Sequence, residues 1–115
     1  MRTVIYDERD HRLGYCENGL IHAERKSHSI GSYDRYNEVK DRFGTVVGCY
    51  DHRSVYSISS GYKNPKPIAI YGNGFVYFAK DVRFGCDEGV VIGTYVGPDG
   101  GAAAAALVFL YGDLL

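Results

Sequence analysis

A chain of 115 residues holds one hydrophobic core and is short for two, because units under about 50 residues bury too little surface, so one domain over 1–115 is expected. Hydrophobic residues at 45% and charged residues at 23% exclude a disordered or coiled-coil chain. A formal net charge of −1 with interspersed signs gives no extended positive field for a phosphate backbone, which disfavours nucleic acid as a partner.

From the amino terminus, MRTVIYDERDH holds no apolar run of the roughly 7–15 residues that a secretory signal needs. Cys16, Cys49 and Cys86 are odd in number and far apart, so no disulfide framework is expected and a reducing cytoplasm is the default compartment. The composition is that of strands: 15 Gly and 11 Tyr with many Val and Ile, against one Met and no Trp. Asn18-Gly19 and Asn73-Gly74 each sit between apolar segments, as a two-residue hairpin turn with positive φ at both positions requires.

Between and beyond these turns the chain repeats itself. The element apolar-Gly-x-Tyr occurs as IGSY (Ile30 to Tyr33), VGCY (Val47 to Tyr50) and IGTY (Ile92 to Tyr95), with LGYC (Leu13 to Cys16) as a shifted variant. The first two start 17 residues apart (47 − 30), the length of two short strands with their turns. A longer echo at an offset of 41 links DHRLGY (Asp10 to Tyr15) with DHRSVY (Asp51 to Tyr56), and RFG at Arg42 with RFG at Arg83. Gly and Tyr two apart on a strand share a face, so the reading is that Tyr15, Tyr33, Tyr50 and Tyr95 lie inward and shield the bare backbone of the glycines. The fold expected is all-β: tandem antiparallel hairpins from a 17–20-residue repeat, arranged radially or as a closed or sandwiched sheet, with little helix. Ser59 to Pro67 reads as a long loop, and Pro98 to Gly101 as a turn. For the run from Ala102 to Tyr111 periodicity leaves helix and strand open, and the Val, Phe and Tyr after the alanines favour a last buried strand. That run is also shorter than the roughly 20 residues of a membrane-spanning helix, so no membrane partner is expected.

The segments IYDERDHRLGYCENGLIH and SIGSYDRYNEVKDRFGTVVGCY resemble the small bacterial proteins called four-fold beta-flower proteins. The matching positions are Tyr6, Asp7, Gly14, Tyr15, Asn18, Gly19, Gly31, Tyr33, Val39, Asp41, Gly44, Gly48 and Tyr50, which cover the first half of the chain. The resemblance implies radially arranged β-hairpins and brings no enzymatic residues with it.

Candidate chemistry is sparse. Cys49-Tyr50-Asp51-His52-Arg53 crowds a thiol, a carboxylate and an imidazole, which suggests a small Cys/His enzyme; strand parity, however, sends Cys49 and His52 to opposite faces and favours a buried Cys beside a polar turn. His11, His22, His28 and His52 match no compact ligand spacing, so neither a metal nor another cofactor is expected. Tyrosine is the one chemical excess. Tyr36, Tyr56, Tyr62, Tyr71 and Tyr77 lie outside the Gly-x-Tyr pairing and are candidates for a stacking surface that binds a glycan or an oligonucleotide. The leading expectation is a non-enzymatic module acting through surface contacts, with an unknown protein or with itself as a homo-oligomer.

Overall fold

The computed structural model describes residues 2–57, 67–78 and 91–111. Ten antiparallel strands follow one another around a closed barrel: β1 (Thr3–Asp7), β2 (Arg12–Glu17), β3 (Leu20–Ala23), β4 (Ser29–Tyr33), β5 (Glu38–Asp41), β6 (Val46–Tyr50), β7 (Ser54–Ser57), β8 (Pro67–Gly72), β9 (Phe75–Phe78) and β10 (Val91–Val96), with β10 paired back onto β1. Among the described residues one helix, α1 (Gly100–Phe109), follows β10. The expected all-β hairpin fold is therefore what the chain adopts, in its closed form. No described helix is long and apolar enough to cross a membrane.

Five equivalent units build the wall. Each odd strand places one fully buried aliphatic residue in the core, namely Ile5, Ile21, Val39, Val55 and Val76. Each is paired with a small residue on the following even strand: Gly14, Gly31, Gly48, Ala69 and Gly93 respectively. Just before that small residue the register slips by one, so Leu13, Ile30, Val47, Ile68 and Ile92 are each an unpaired extra residue of a bulge. The slip tightens the local twist and brings these apolar side chains into contact with the core. Two residues after the small one, Cys16, Tyr33, Tyr50, Tyr71 and Tyr95 point into the barrel at its other end. LGYC is thus in register with the other elements, with Cys in the Tyr position, and IAIY (Ile68 to Tyr71) is the fifth copy with Ala for Gly.

The turns are as local as the sequence suggests. Asn18 (φ 54) with Gly19 (φ 82) and Asn73 (φ 53) with Gly74 (φ 87) take the left-handed pairs of two-residue hairpins. DERDH, DRYNE and DRFGT form three equal turns in which Asp7, Asp34 and Asp41 each accept two backbone N–H bonds, from residues two and four further on. The DHR echo is not structural: Asp10 supplies the left-handed position of one such turn (φ 65), whereas Asp51 is the acceptor of another. Its two copies lead into a glycine-bearing even strand and a Val55-bearing odd strand. The second RFG and nearly all of the Ser59–Pro67 segment lie outside the described residues; Pro67 itself opens β8.

The run after Gly101 is a helix, not the last strand. A closed barrel has no free edge, so an extended segment in its lumen would leave its N–H and C=O groups without partners, whereas a helix satisfies its own. Alanine is the best helix former and is depleted in strands. Ala102 through Ala106 are all fully buried, which places α1 on the barrel axis with core on every side. Ten strands enclose more width than their own side chains fill, and a helix bearing only methyl groups is thin enough to occupy it.

Helix and wall are tapered against each other. At the helix start Gly100 faces the Tyr95 ring and Gly101 faces Tyr50, so close that a Cβ on Gly101 would lie 2.1 Å from Tyr50 Cδ2. At the helix end the relation inverts: Leu107 covers Gly93, Phe109 covers Gly48, Leu110 covers Gly31, and Tyr111 covers Gly14. The wall glycines are therefore roofed by the helix, and the phenols instead cover the helix glycines. Tyr15 departs from the expectation altogether: it faces outward, stacked on His22 at 4.7 Å with Arg2 3.9 Å from its ring centroid.

Candidate functional site

The narrow end is closed by hydrogen bonds. Tyr33 Oη donates to Asp99 Oδ2 at 2.8 Å, and the Asp99 N–H donates to Thr3 Oγ1 at 2.8 Å. Asp99 sits at the N-cap of α1, where a carboxylate meets the positive end of the helix dipole. Tyr71 Oη donates to the Asp51 carbonyl and its ring meets Tyr95 edge-on at 6.2 Å. Burial, reinforced by the Asp99 charge, pushes the Cys16 thiol up to about 12 and Tyr50 up to about 12. Among the described residues no buried side-chain N or O lacks a partner, so this end is a filled core.

The opposite end opens into a cleft of about 1010 Å³. Its floor is apolar: Ile30 and Val47, turned inward by their bulges, lie with Phe109 and Leu110 from the end of α1. One wall is the β3–β4 loop, carrying Arg25, Lys26 and His28, all exposed; the other is the β5–β6 turn with Asp41, Arg42 and Phe43. Phe43 is held out by its turn, in which Asp41 Oδ1 accepts the Phe43 N–H at 2.9 Å and the Thr45 N–H at 3.0 Å while Gly44 takes φ 83. The result is a Phe side chain that is 78% exposed at the rim, with the Arg42 guanidinium 4.8 Å from its ring centroid.

Of the five tyrosines expected to form a stacking surface, the four described ones do not come together, and only Tyr71 and Tyr77 line a common hollow. Tyr36 is 67% exposed and pairs with its neighbour Arg35, which donates to its hydroxyl at 3.0 Å. Tyr56 is half-buried and donates to Asp51 Oδ2. Tyr71 reaches the core, and Tyr77 lies on the outer wall beside Phe75, with centroids 6.1 Å apart. Tyr62 lies outside the described residues. A smaller hollow of about 280 Å³ joins Tyr71, Phe75 and Tyr77 with Ile70 and Arg53.

Cys49 and His52 are not assembled for nucleophilic chemistry. Cys49 is half-buried on β6, and burial first, then Glu38 and Asp51, raise its thiol above the ordinary value, the reverse of what a nucleophilic thiolate needs. His52 is exposed in the turn beyond. Among the described residues no three His, Cys, Asp or Glu side chains lie together as a metal site would require. Sequence reasoning missed the cleft residues Ile30, Val47 and Phe43; the exposed aromatic in an Asp-Arg-Phe-Gly turn was the available signal. No family model, no curated protein and no solved structure matches the chain.

Proposed function

We propose that the chain is a non-enzymatic recognition module whose ligand or partner seats in the cleft at the wide end of the barrel. One observation carries this: an apolar floor of Ile30, Val47, Phe109 and Leu110 lies open beside a Phe43 ring that the turn holds in solvent. The ten described strands close on themselves and leave no edge among them for β-augmentation, which favours recognition through side chains. The lumen is taken by α1, which leaves the ends and the outer wall as surfaces. A Tyr-built surface for glycans or oligonucleotides has less support, since of the described candidate tyrosines only Tyr77 pairs with another ring on the outer wall. The resemblance to the four-fold beta-flower proteins implies radial hairpins without enzymatic residues, which agrees with a non-enzymatic module.

The test is titration with N-phenyl-1-naphthylamine, a neutral apolar fluorophore. The native protein is expected to bind it saturably, and Val47→Trp, which fills the floor, to abolish binding while the melting curve stays cooperative. Phe43→Ala, at a site too exposed to unfold the barrel, is expected to weaken binding several-fold. Absence of saturable binding by the folded protein overturns the reading. Light scattering separates a second copy from other occupants: a dimer that Phe43→Ala dissociates would make this chain its own partner.

A further inference from the structure

We infer that the occupant of this cleft is a small amphipathic anion, an aryl or acyl group carrying one carboxylate, sulfonate or phosphate. This rests on the cleft being the recognition site and adds the chemistry of what enters it.

The charge distribution around the cleft supplies the argument. Arg25, Lys26 and Arg42 stand on its two walls, and Asp41 is the one acidic residue among its described lining side chains. Asp41 is already engaged, its Oδ1 accepting two N–H bonds from its own turn. The nearest acid of the β3–β4 loop, Glu24, pairs with Arg12 instead. Among the described residues neither Arg25 nor Lys26 has an ion-pair partner. Among the described residues, three cations therefore stand against one carboxylate around an apolar opening, in a chain whose net charge is −1.

The same geometry sets the ligand's orientation. The end of α1 forms the floor, and the carbonyl end of a helix carries partial negative charge, so an anionic group is repelled from the bottom and drawn to the rim. The apolar part then goes down onto Phe109, Leu110, Ile30 and Val47. The volume of about 1010 Å³ is at the upper end of what small-molecule sites provide, and the concave shape favours a free molecule over a flat lipid surface.

Two fluorophores of one skeleton test this: neutral N-phenyl-1-naphthylamine and 8-anilinonaphthalene-1-sulfonate, which adds the anion. At low salt the sulfonate is expected to bind about ten-fold tighter, the combined strength of two exposed charge pairs, and to lose most of that advantage in 0.5 M NaCl. Arg25→Asn/Lys26→Gln, with Asn chosen because Arg25 has φ 69, is expected to erase the sulfonate's advantage over the neutral probe. Equal affinities for the two probes, or a preference that survives in the double variant, overturn the inference and leave the cleft reading standing. If neither probe binds, both fall. Sedimentation with anionic vesicles, without saturable binding of the monomeric sulfonate, would assign the basic rim to a membrane and also overturn the inference.

Discussion

Replacing Gly48 by Ala tests whether the wall glycines exist to admit the helix. A Cβ at position 48 would lie 2.2 Å from Phe109 Cε2 and 2.8 Å from the Tyr56 carbonyl oxygen, against 3.4 Å for ordinary contact. The Phe109 ring would have to retreat by 3.4 − 2.2 = 1.2 Å, and it can swing toward the cleft because it is only half-buried. The Tyr56 oxygen belongs to the β7 backbone and cannot swing. Overpacking of this kind costs about 1–3 kcal/mol, and the entropy gained by removing a strand glycine returns about 0.5–1 kcal/mol. The net loss expected is about 1–2 kcal/mol, read in urea as a lower midpoint at unchanged slope. Gly72→Ala is the control, since nothing lies within 4 Å of its Cβ position and its φ is unexceptional; that substitution is expected to be neutral or slightly stabilising. In the Phe109→Ala background the Gly48→Ala penalty should shrink to what the Tyr56 carbonyl alone imposes. If Gly48→Ala is as harmless as Gly72→Ala, the account of the tapered interior fails.

Stability toward alkali follows from Cys16 and Tyr50. Their folded-state pKa values, both pushed up to about 12, exceed the ordinary 9.0 and 10.0, so the unfolded chain loses these protons first. The stability they supply is complete below about pH 9 and is lost as pH climbs toward 12, at no more than about 1.4 kcal/mol per pH unit for each group. Cys16→Ala should make the decline in melting temperature above about pH 9 shallower, with Cys49 still titrating there; an unchanged slope refutes the assignment. Tyr33→Phe removes the hydroxyl that donates to Asp99 and should cost about 1.5–3 kcal/mol, with a melting temperature lower by several degrees. A loss under 0.5 kcal/mol would show that water replaces it.

How far the sequence reveals this depends on how local each feature is. The Asn-Gly turns and the Gly-x-Tyr cadence are set by residues within five positions of one another and read directly; the Asp-led turns at Asp7, Asp34 and Asp41 are equally local and emerge only in the structure. The fifth copy, Ala69 to Tyr71, escapes because Ala stands where Gly is expected, although the methyl fits beside α1. Cys16 escapes for the same reason at the tyrosine position. The helix was misread because Val108, Phe109 and Tyr111 look like strand residues; what decides their state is the absence of a free sheet edge, a property of the closed ring that no window along the chain contains. The cleft was invisible for a related reason, since Ile30 and Val47 turn inward only through bulges whose register depends on the partner strands.

The taper also accounts for where the proposed recognition can occur. Five small residues in the wall let the large side chains at the end of α1 rise to the opening, and the bulge before each small residue aims a further aliphatic group at the same level. Packing at that end is therefore built from side chains with open space above them, whereas the other end is closed by phenols and the half-buried Asp99. A ten-stranded ring without a helix would have held a ligand inside its lumen. With the axis occupied by alanine, the apolar surface left for binding is the top of the core itself. Its selectivity then falls to the loops around it, where Arg25, Lys26, Arg42 and Phe43 stand.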